Sequence, residues 1–214
     1  MYNIPHFKAK DHQEVVDFMH AYPFVTICGV DANGFPVATQ VPVLLKIEND
    51  KIIISGHVMR KQDHTIAFEL NNNVLVIFSG PSAFVSANWY SVKGVASTWN
   101  YQSVHAVGKI EMKGEDHLYN LLSELTAHFE KDPNSPTQVK NLDPLYMKEN
   151  MKAIISFEIE VTELKHVFKL SQNRDDISHE NIKKTCNFFS TSYWPLSYWT
   201  SSSLTRFKQI DSTT

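Results

Sequence analysis

The sequence lacks the residue patterns that mark several common classes of enzyme. Its two cysteines, Cys28 and Cys186, do not form a Cys-x-x-Cys pair, so neither a zinc knuckle nor a thioredoxin-type site is indicated. It contains no GxGxxG, no GxxxxGK[ST], no HExxH and no GxSxG segment. Ten histidines show no metal-ligand spacing beyond His57 and His64, which are seven positions apart. We therefore expect no bound metal, no zinc chemistry and no serine-hydrolase chemistry.

An excess of positive charge is also missing. Twenty Lys and Arg residues stand against 23 Asp and Glu residues, which gives a net charge of −3. A protein that grips DNA phosphates usually has a positive balance or a basic recognition face. Direct DNA binding is therefore doubtful.

Long apolar runs are absent as well. No window reaches the roughly 18 consecutive apolar residues that a membrane helix needs. The first residues, Met1 to His6, lack a basic region followed by an apolar stretch, so no signal peptide is indicated. We expect a cytoplasmic protein without a membrane association.

The residue patterns that are present indicate a β-rich domain with helices. Asn33-Gly34 is typical of a tight hairpin turn between two strands, and residues Ile155 to Val161 alternate between apolar and polar side chains. Several strands with hairpin turns and no regular βαβ alternation predict a closed antiparallel barrel, an α+β fold. Strands are predicted over 24–30, 37–47, 51–56, 74–79, 101–112 and 155–162, and helices over about 11–22, 60–70, 118–129, 143–150 and 178–184.

The chain from about Asn187 onward differs from what precedes it. Aromatic residues crowd there among Ser and Thr, with almost no charge. We therefore divide the sequence into a domain over 1–186 and an atypical tail over 187–214. Two interpretations of the tail stay open: a segment that packs on a protein surface, or an altered reading frame in the coding DNA.

One segment has the composition of a phosphate site. Residues 55–61, Ser-Gly-His-Val-Met-Arg-Lys, place an imidazole and two cations at the end of a predicted strand, before a predicted helix. Cations beside a helix N-terminus bind phosphate well. The competing interpretation is an ordinary solvated turn.

Two further segments, 78–90 and 97–105, interleave aromatic residues with amides and hydroxyls. Such side chains suit a planar heteroaromatic ligand, which needs stacking and hydrogen bonds at its edge. An aromatic corner buried between subunits would have the same composition.

Two blocks of the sequence are specific enough to compare with known families: Thr98-Trp99-Asn100-Tyr101 and the segment 169–174, Lys-Leu-Ser-Gln-Asn-Arg. Further blocks accompany them in order along most of the chain: Met1-Tyr2, Tyr22-Pro23-Phe24, 38–42 (Ala-Thr-Gln-Val-Pro), Gly56-His57, 78–81 (Phe-Ser-Gly-Pro), Trp89-Tyr90 and Val104-His105. With these blocks the chain resembles the PaiB family of FMN-binding split-barrel proteins, often described as negative transcriptional regulators.

The resemblance implies an antiparallel FMN-binding split barrel with flanking helices, related to pyridoxamine-phosphate-oxidase-like flavoproteins. It implies a homodimer with FMN at the interface. Carried over to this chain, the phosphate contacts are His57, Arg60 and Lys61. The isoalloxazine edge is lined by Thr39, Val41 and Pro42, and Trp99, Asn100 and Tyr101 approach from the other subunit.

The chain departs from the family pattern at Ser82 and Phe84, where relatives have His and Tyr, and at Ser97, where they have Pro. The main functional hypothesis is a flavin-binding protein with oxidoreductase chemistry on an unknown small-molecule substrate. The alternative is a PaiB-type transcriptional regulator that acts with or without flavin. A third hypothesis is haem in the same barrel, with His105 or His166 as axial ligand.

Overall fold

The computed structural model describes residues 1–49 and 51–189, and for 186–189 the backbone alone. Six antiparallel strands close a barrel in the order β1-β2-β3-β6-β5-β4. The strands are β1 (Phe24–Val30), β2 (Pro36–Glu48), β3 (Lys51–Met59), β4 (Asn73–Val85), β5 (Thr98–Met112) and β6 (Ile154–Lys169). The helices are α1 (His12–Ala21), α2 (Asp63–Leu70), α3 (Glu115–Glu130), α4 (Pro144–Met151) and α5 (Asp176–Phe189). The predicted barrel with flanking helices is confirmed.

The chain divides into two units. Unit 1 comprises Met1–Glu14, Gly80–Gln102 and the part of the chain from Val167 onward, and unit 2 comprises Val15–Ser79 and Ser103–His166. The predicted boundary at residue 186 falls inside α5, and residues 190–214 of the predicted tail lie outside the described residues.

The core of unit 2 is the interior of the barrel, where large apolar side chains from β1, β3, β4 and β6 are buried. Gly56 of β3 lies directly against one of them, because a Cβ placed there would be 2.6 Å from the ring of Phe157. The Phe157 side chain is fully buried. A glycine at position 56 therefore leaves the space that this ring fills. Other fully buried members of this core are Ile27, Ile54, Val76, Phe78 and Ile159.

The sequence predicted the bounds of the helices well. It predicted the C-terminal ends of most strands too early in the chain. α1 begins after Asp11, whose carboxylate accepts the Glu14 N–H at 2.9 Å and so caps the first turn. In contrast, β3 does not end at Gly56 but continues to Met59, because His57 pairs with Ser156 and Val58 with Ile155 of β6. A strand that finds a partner extends beyond its local apolar run.

The predicted end of β4 was also too early. β4 does not end at Gly80-Pro81 but runs through both residues to Val85. A proline removes one donor from a ladder and still permits an extended backbone.

The hairpin predicted at Asn33-Gly34 joins the antiparallel strands β1 and β2. Gly34 has a positive φ of 83° and Asn33 does not, because the Asp31 carboxylate accepts the Asn33 and Phe35 N–H groups and shapes the rest of the turn.

A charged cluster joins α3 to β6 within unit 2. His117 of α3 lies 2.9 Å from the Ser156 hydroxyl and 3.2 Å from the Glu158 carboxylate, and Lys113 lies 3.0 Å from the same carboxylate. Burial alone would raise the pKa of Glu158, but the hydrogen bonds from Lys113 and His117 outweigh it and lower the pKa. The ionised carboxylate is therefore the form that the fold favours.

We expect this carboxylate to make the stability of the protein sensitive to acid. A group whose pKa is lowered by folding stabilises the protein above its unfolded pKa, about 4.3 for Glu, and loses this contribution as the pH falls through the folded pKa. Urea unfolding should show Glu158→Gln less stable than the parent at pH 7, with a gap that narrows by pH 3. The exposed Glu163→Gln is the control. An equal gap at both pH values would contradict a role for the charge.

Candidate functional site

His57 sits on the outer face of β3. Its neighbours Gly56 and Val58 face the barrel core and are buried, so the alternation of the strand directs the imidazole to the opposite face. The imidazole is half-buried, and its Nδ1 is buried without a hydrogen-bond partner among the described residues. Burial lowers the pKa of His57. A neutral imidazole with an unused nitrogen is therefore available here.

The two predicted phosphate-binding cations follow in the turn between β3 and α2. The Arg60 N–H donates to the Ala153 carbonyl at 2.8 Å, which fixes the backbone of the turn. Lys61 has a left-handed backbone with φ of 60°, a conformation that tends to occur at functional sites when the residue is not glycine. Neither side chain forms an ion pair with a described residue. Both charges are thus available to an anion.

The start of α2 differs from the predicted phosphate cradle. The helix begins at Asp63 rather than at Arg60, and the Asp63 carboxylate accepts the His64 N–H at 2.7 Å. This acidic side chain occupies the first turn, where an anion would otherwise bind. An anion in this region would be held by the Arg60 and Lys61 side chains and not by the free N–H groups of the helix.

The predicted flavin-edge residues on β2 face two different ways. Thr39 pairs with Ile27 and Val41 with Val25, and both of these partners are buried in the core. Pro42 pairs with the exposed Phe24, on the same outer face as His57. The Pro42 carbonyl oxygen lies 3.3 Å from the position of a Cβ on Gly56, beside His57.

The structure thus brings Pro42 together with His57 and directs the side chains of Thr39 and Val41 to the interior. These two residues could meet a flavin on the outer face through their backbone alone.

The predicted residues on β5 alternate in the same manner within unit 1. Trp99 is 55% exposed and meets the Phe84 ring edge-on at 6.0 Å. Asn100 is fully buried, and its Oδ1 accepts the Ser171 hydroxyl at 2.9 Å. Tyr101 is half-buried. Its pKa is raised mainly by burial and to a smaller extent by the nearby Tyr2. Trp99 and Tyr101 therefore share one face, and Asn100 belongs to the other.

The histidines of the haem hypothesis lie on β5 and β6. Both His105 and His166 are half-buried, and burial lowers the pKa of His105. Within residues 1–49 and 51–189 no group of three or more His, Cys, Asp or Glu side chains could hold a metal ion.

The sequence singled out the segment from Lys169 to Arg174 as a family block but gave it no role. In the structure, Lys169 donates to the Thr98 hydroxyl at 2.6 Å, and Lys169, Ser171 and Arg174 line a cavity of about 280 Å³ in unit 1. The signal in the sequence that indicates an anion site here is the pair of cations, Lys169 and Arg174, on either side of Ser171. The contribution of Thr98, 71 positions away, was not readable from the sequence.

The chemistry of the outer face of β3 fits a flavin mononucleotide. FMN brings a phosphate dianion and a planar ring with donors and acceptors along its edge. Arg60 and Lys61 form no ion pair with any residue of 1–49 and 51–185, and the buried Nδ1 of His57 has no hydrogen-bond partner in that part of the chain. A buried polar atom left without a hydrogen bond costs about 1–3 kcal/mol, so His57 Nδ1 is a candidate contact for a ligand or an ordered water.

Comparisons with known proteins agree with this chemistry. The family model described as "Putative FMN-binding domain" matches residues 1–163. The protein "Protease synthase and sporulation protein PAI 2" of Bacillus subtilis is 34% identical over 182 residues, which cover 85% of this chain and 87% of the relative. The chain belongs to the PaiB family of FMN-binding proteins. FMN is accordingly the cofactor of this PaiB-family chain.

Solved structures confirm the split-barrel fold of this PaiB-family protein. The FAD and haem binding protein from Mycobacterium smegmatis matches with a TM-score of 0.56 and 19% identity, over 82% of this chain and 78% of that one. The flavocytochrome Anf3 from Azotobacter vinelandii matches with a TM-score of 0.56 and 16% identity, over 79% and 72%. At such low identity these likenesses show the fold alone.

Proposed function

We propose that this PaiB-family protein is a flavin-dependent oxidoreductase that holds the FMN phosphate at Arg60 and Lys61. The observation that carries the proposal is a pair of cations in the turn after β3 that form no ion pair with the described residues. They follow His57 by three and four positions, and its buried Nδ1 has no hydrogen-bond partner among those residues either. Bound FMN would supply hydride or single-electron transfer, and the protein would supply orientation and electrostatics.

Each residue of the site has a separate task in this proposal. The guanidinium of Arg60 and the ammonium of Lys61 bind phosphate oxygens through charge-assisted hydrogen bonds. The neutral imidazole of His57 donates to or accepts from the ligand at Nδ1. Pro42 lines the ring beside it, and the exposed Trp99 and Tyr101 provide an aromatic wall from a second subunit.

The first test is the visible absorbance of the purified protein. We expect bands between about 350 and 500 nm, or their appearance in a saturable titration when FMN is added to colourless protein. Quenching of flavin fluorescence in the same titration gives the dissociation constant. Protein that is colourless and takes up no added FMN would refute the proposal.

A homodimer is part of the proposal. Phe24 is 61% exposed and Met59 is 56% exposed, and both lie on the outer faces of their strands, as His57 and Pro42 do. Exposed apolar patches of this kind are typical of interfaces. Light scattering at micromolar concentration should give about twice the chain mass of 24.5 kDa.

Phe24→Glu should shift the protein toward monomer. It should also weaken FMN binding, because the flavin ring would lose the aromatic side chains that the second subunit contributes. The matched control is Leu145→Glu, on an equally exposed residue of α4. A parent protein that stays monomeric would contradict this part of the proposal.

We also propose that the protein works in the cytoplasm and that any regulatory role does not require direct contact with DNA. Cys28 is a free thiol, which suits a reducing compartment, and the net charge is −3. None of the helices within residues 1–49 and 51–189 has the length and apolar character to cross a bilayer. A gel-shift titration at moderate salt should show no complex that survives competitor DNA, and a surviving complex would favour the regulator hypothesis.

A further inference from the structure

A cavity in unit 1 is lined by residues that the proposed FMN contacts do not include. Its volume is about 280 Å³. Its polar wall contains Thr98, Lys169, Ser171 and Arg174, and Tyr2 and Phe7 contribute aromatic surface. Ligand pockets commonly combine an apolar lining with a few convergent polar groups. This cavity has that composition.

The two cations of the cavity wall contact a hydroxyl and aromatic rings. Lys169 Nζ donates to the Thr98 hydroxyl and lies 5.8 Å from the centre of the Phe7 ring. The Arg174 guanidinium stacks over the Tyr90 ring at 4.2 Å. No carboxylate within residues 1–49 and 51–189 forms an ion pair with either side chain.

The carboxylate nearest to Arg174 in sequence is engaged elsewhere. Asp175 accepts hydrogen bonds from the Ser178 hydroxyl at 2.6 Å, the Ser178 N–H at 2.9 Å and the Ser91 hydroxyl at 2.9 Å. These bonds, led by that from the Ser178 hydroxyl, lower the pKa of Asp175 to about 2. The positive charge of the cavity therefore remains free to attract an anion.

The backbone and side chains at Ser171 show the signs of a built site. Ser171 has a left-handed backbone with φ of 61°, and its buried hydroxyl donates to Asn100. Asn100 is fully buried, and its Nδ2 has no hydrogen-bond partner among the described residues. Strained backbone is common at ligand-binding sites, and a ligand or a water can satisfy a buried donor of this kind. Asn100 does not line the cavity itself but is hydrogen-bonded to Ser171, which does.

The size of the cavity limits the ligand. Its volume lies just below the range of about 300–1,000 Å³ that is typical of pockets for drug-sized ligands. The cavity is partly open to solvent, so the part of a ligand that it holds is an anionic group and a short body. A small molecule with one oxyanion and a short apolar or planar body matches both the volume and the two aromatic rings.

We propose that this cavity binds a small carboxylate or phosphate monoester, with Lys169 and Arg174 as cationic contacts to its oxyanion and the Thr98 hydroxyl, which accepts from Lys169 and keeps its own proton, as a further donor. The ligand is a substrate or effector distinct from FMN. The proposal does not depend on the FMN contacts proposed above, because the two sets of residues do not overlap.

The experiment uses the full-length protein with and without saturating FMN. Inorganic phosphate and benzoate are titrated separately by calorimetry, and the two probes distinguish a phosphate site from a carboxylate site. We expect saturable binding of at least one probe to both forms of the protein. Lys169→Gln should weaken it about 5- to 150-fold, because a charge-assisted contact is lost.

Three controls separate the outcomes. Lys109→Gln removes an equally positive but exposed side chain of β5 and should leave probe binding unchanged. Arg174→Lys keeps the charge and should retain part of the affinity. FMN binding by Lys169→Gln, measured by absorbance, should equal that of the parent, even where the affinity for phosphate or benzoate is reduced.

The following results would overturn the proposal: no saturable binding of either probe up to about 50 mM, equal binding to the parent and Lys169→Gln, or complete loss of probe binding once FMN is saturating. The last result would assign the cavity to the flavin phosphate. A protein that binds the probes but not FMN would instead refute only the FMN contacts at Arg60 and Lys61.

Discussion

Arg60→Ala is expected to weaken FMN binding about 5- to 150-fold, which corresponds to about 1–3 kcal/mol for one lost charge-assisted contact. The side chain forms no ion pair within the described residues, so its removal leaves no carboxylate unpaired. Stability should therefore change by less than about 0.5 kcal/mol, as for most surface substitutions. Fluorescence titration with FMN measures the first quantity, and urea unfolding of the apoprotein measures the second.

The combination of the two measurements makes this prediction specific. Arg60→Lys should recover part of the affinity because the charge remains, and the loss should be smaller at high salt because the contact is electrostatic. Lys148→Ala, at an exposed lysine of α4, is the matched control. FMN affinity equal to that of the parent would place the phosphate away from the turn after β3.

Phe157→Ala is expected to lower the free energy of unfolding by about 3–5 kcal/mol, the usual effect of deleting a fully buried aromatic ring. The ring fills the space above Gly56, where a Cβ would lie 2.6 Å from it. Since His57 follows directly in β3, the variant should also weaken FMN binding, unlike an exposed substitution. Urea unfolding at several temperatures measures the stability.

A double-mutant cycle tests the contact itself. Gly56→Ala should destabilise the parent by about 1–3 kcal/mol through overpacking. In a Phe157→Leu background the methyl group gains room, so the same change should have a smaller effect. Additive effects of the two substitutions would show that the ring and the glycine do not share this space.

The sequence predicted the elements whose patterns are local. The alternation from Ile155 to Val161 lies within β6, and the helix predicted over about 11–22 is α1. It failed at Gly80-Pro81 and at the end of β3, because strand continuation depends on the partner strand and not on the local run. Both errors shortened a strand.

Prediction of the candidate site was limited by the alternation of strands. The sequence blocks that indicate a ligand are contiguous, such as Trp99 to Tyr101, but neighbouring side chains on a strand point to opposite faces. The structure therefore separates Asn100 from Trp99, and Val41 from Pro42. The cavity at Lys169 was missed because its wall joins segments that are far apart in sequence.

The alternation between Trp99 and Asn100 restricts how this part of the chain can evolve. Because the period is two residues, inserting or deleting one residue inside Thr98–Gln102 would exchange the exposed aromatic face with the cavity face. Descendants can therefore change this strand by substitution but not by a change of length. The exposed stretch Ser91–Ser97 before it can absorb length changes, as surface loops generally do. Comparison of related genes should find gaps before position 98 and none within the following five residues.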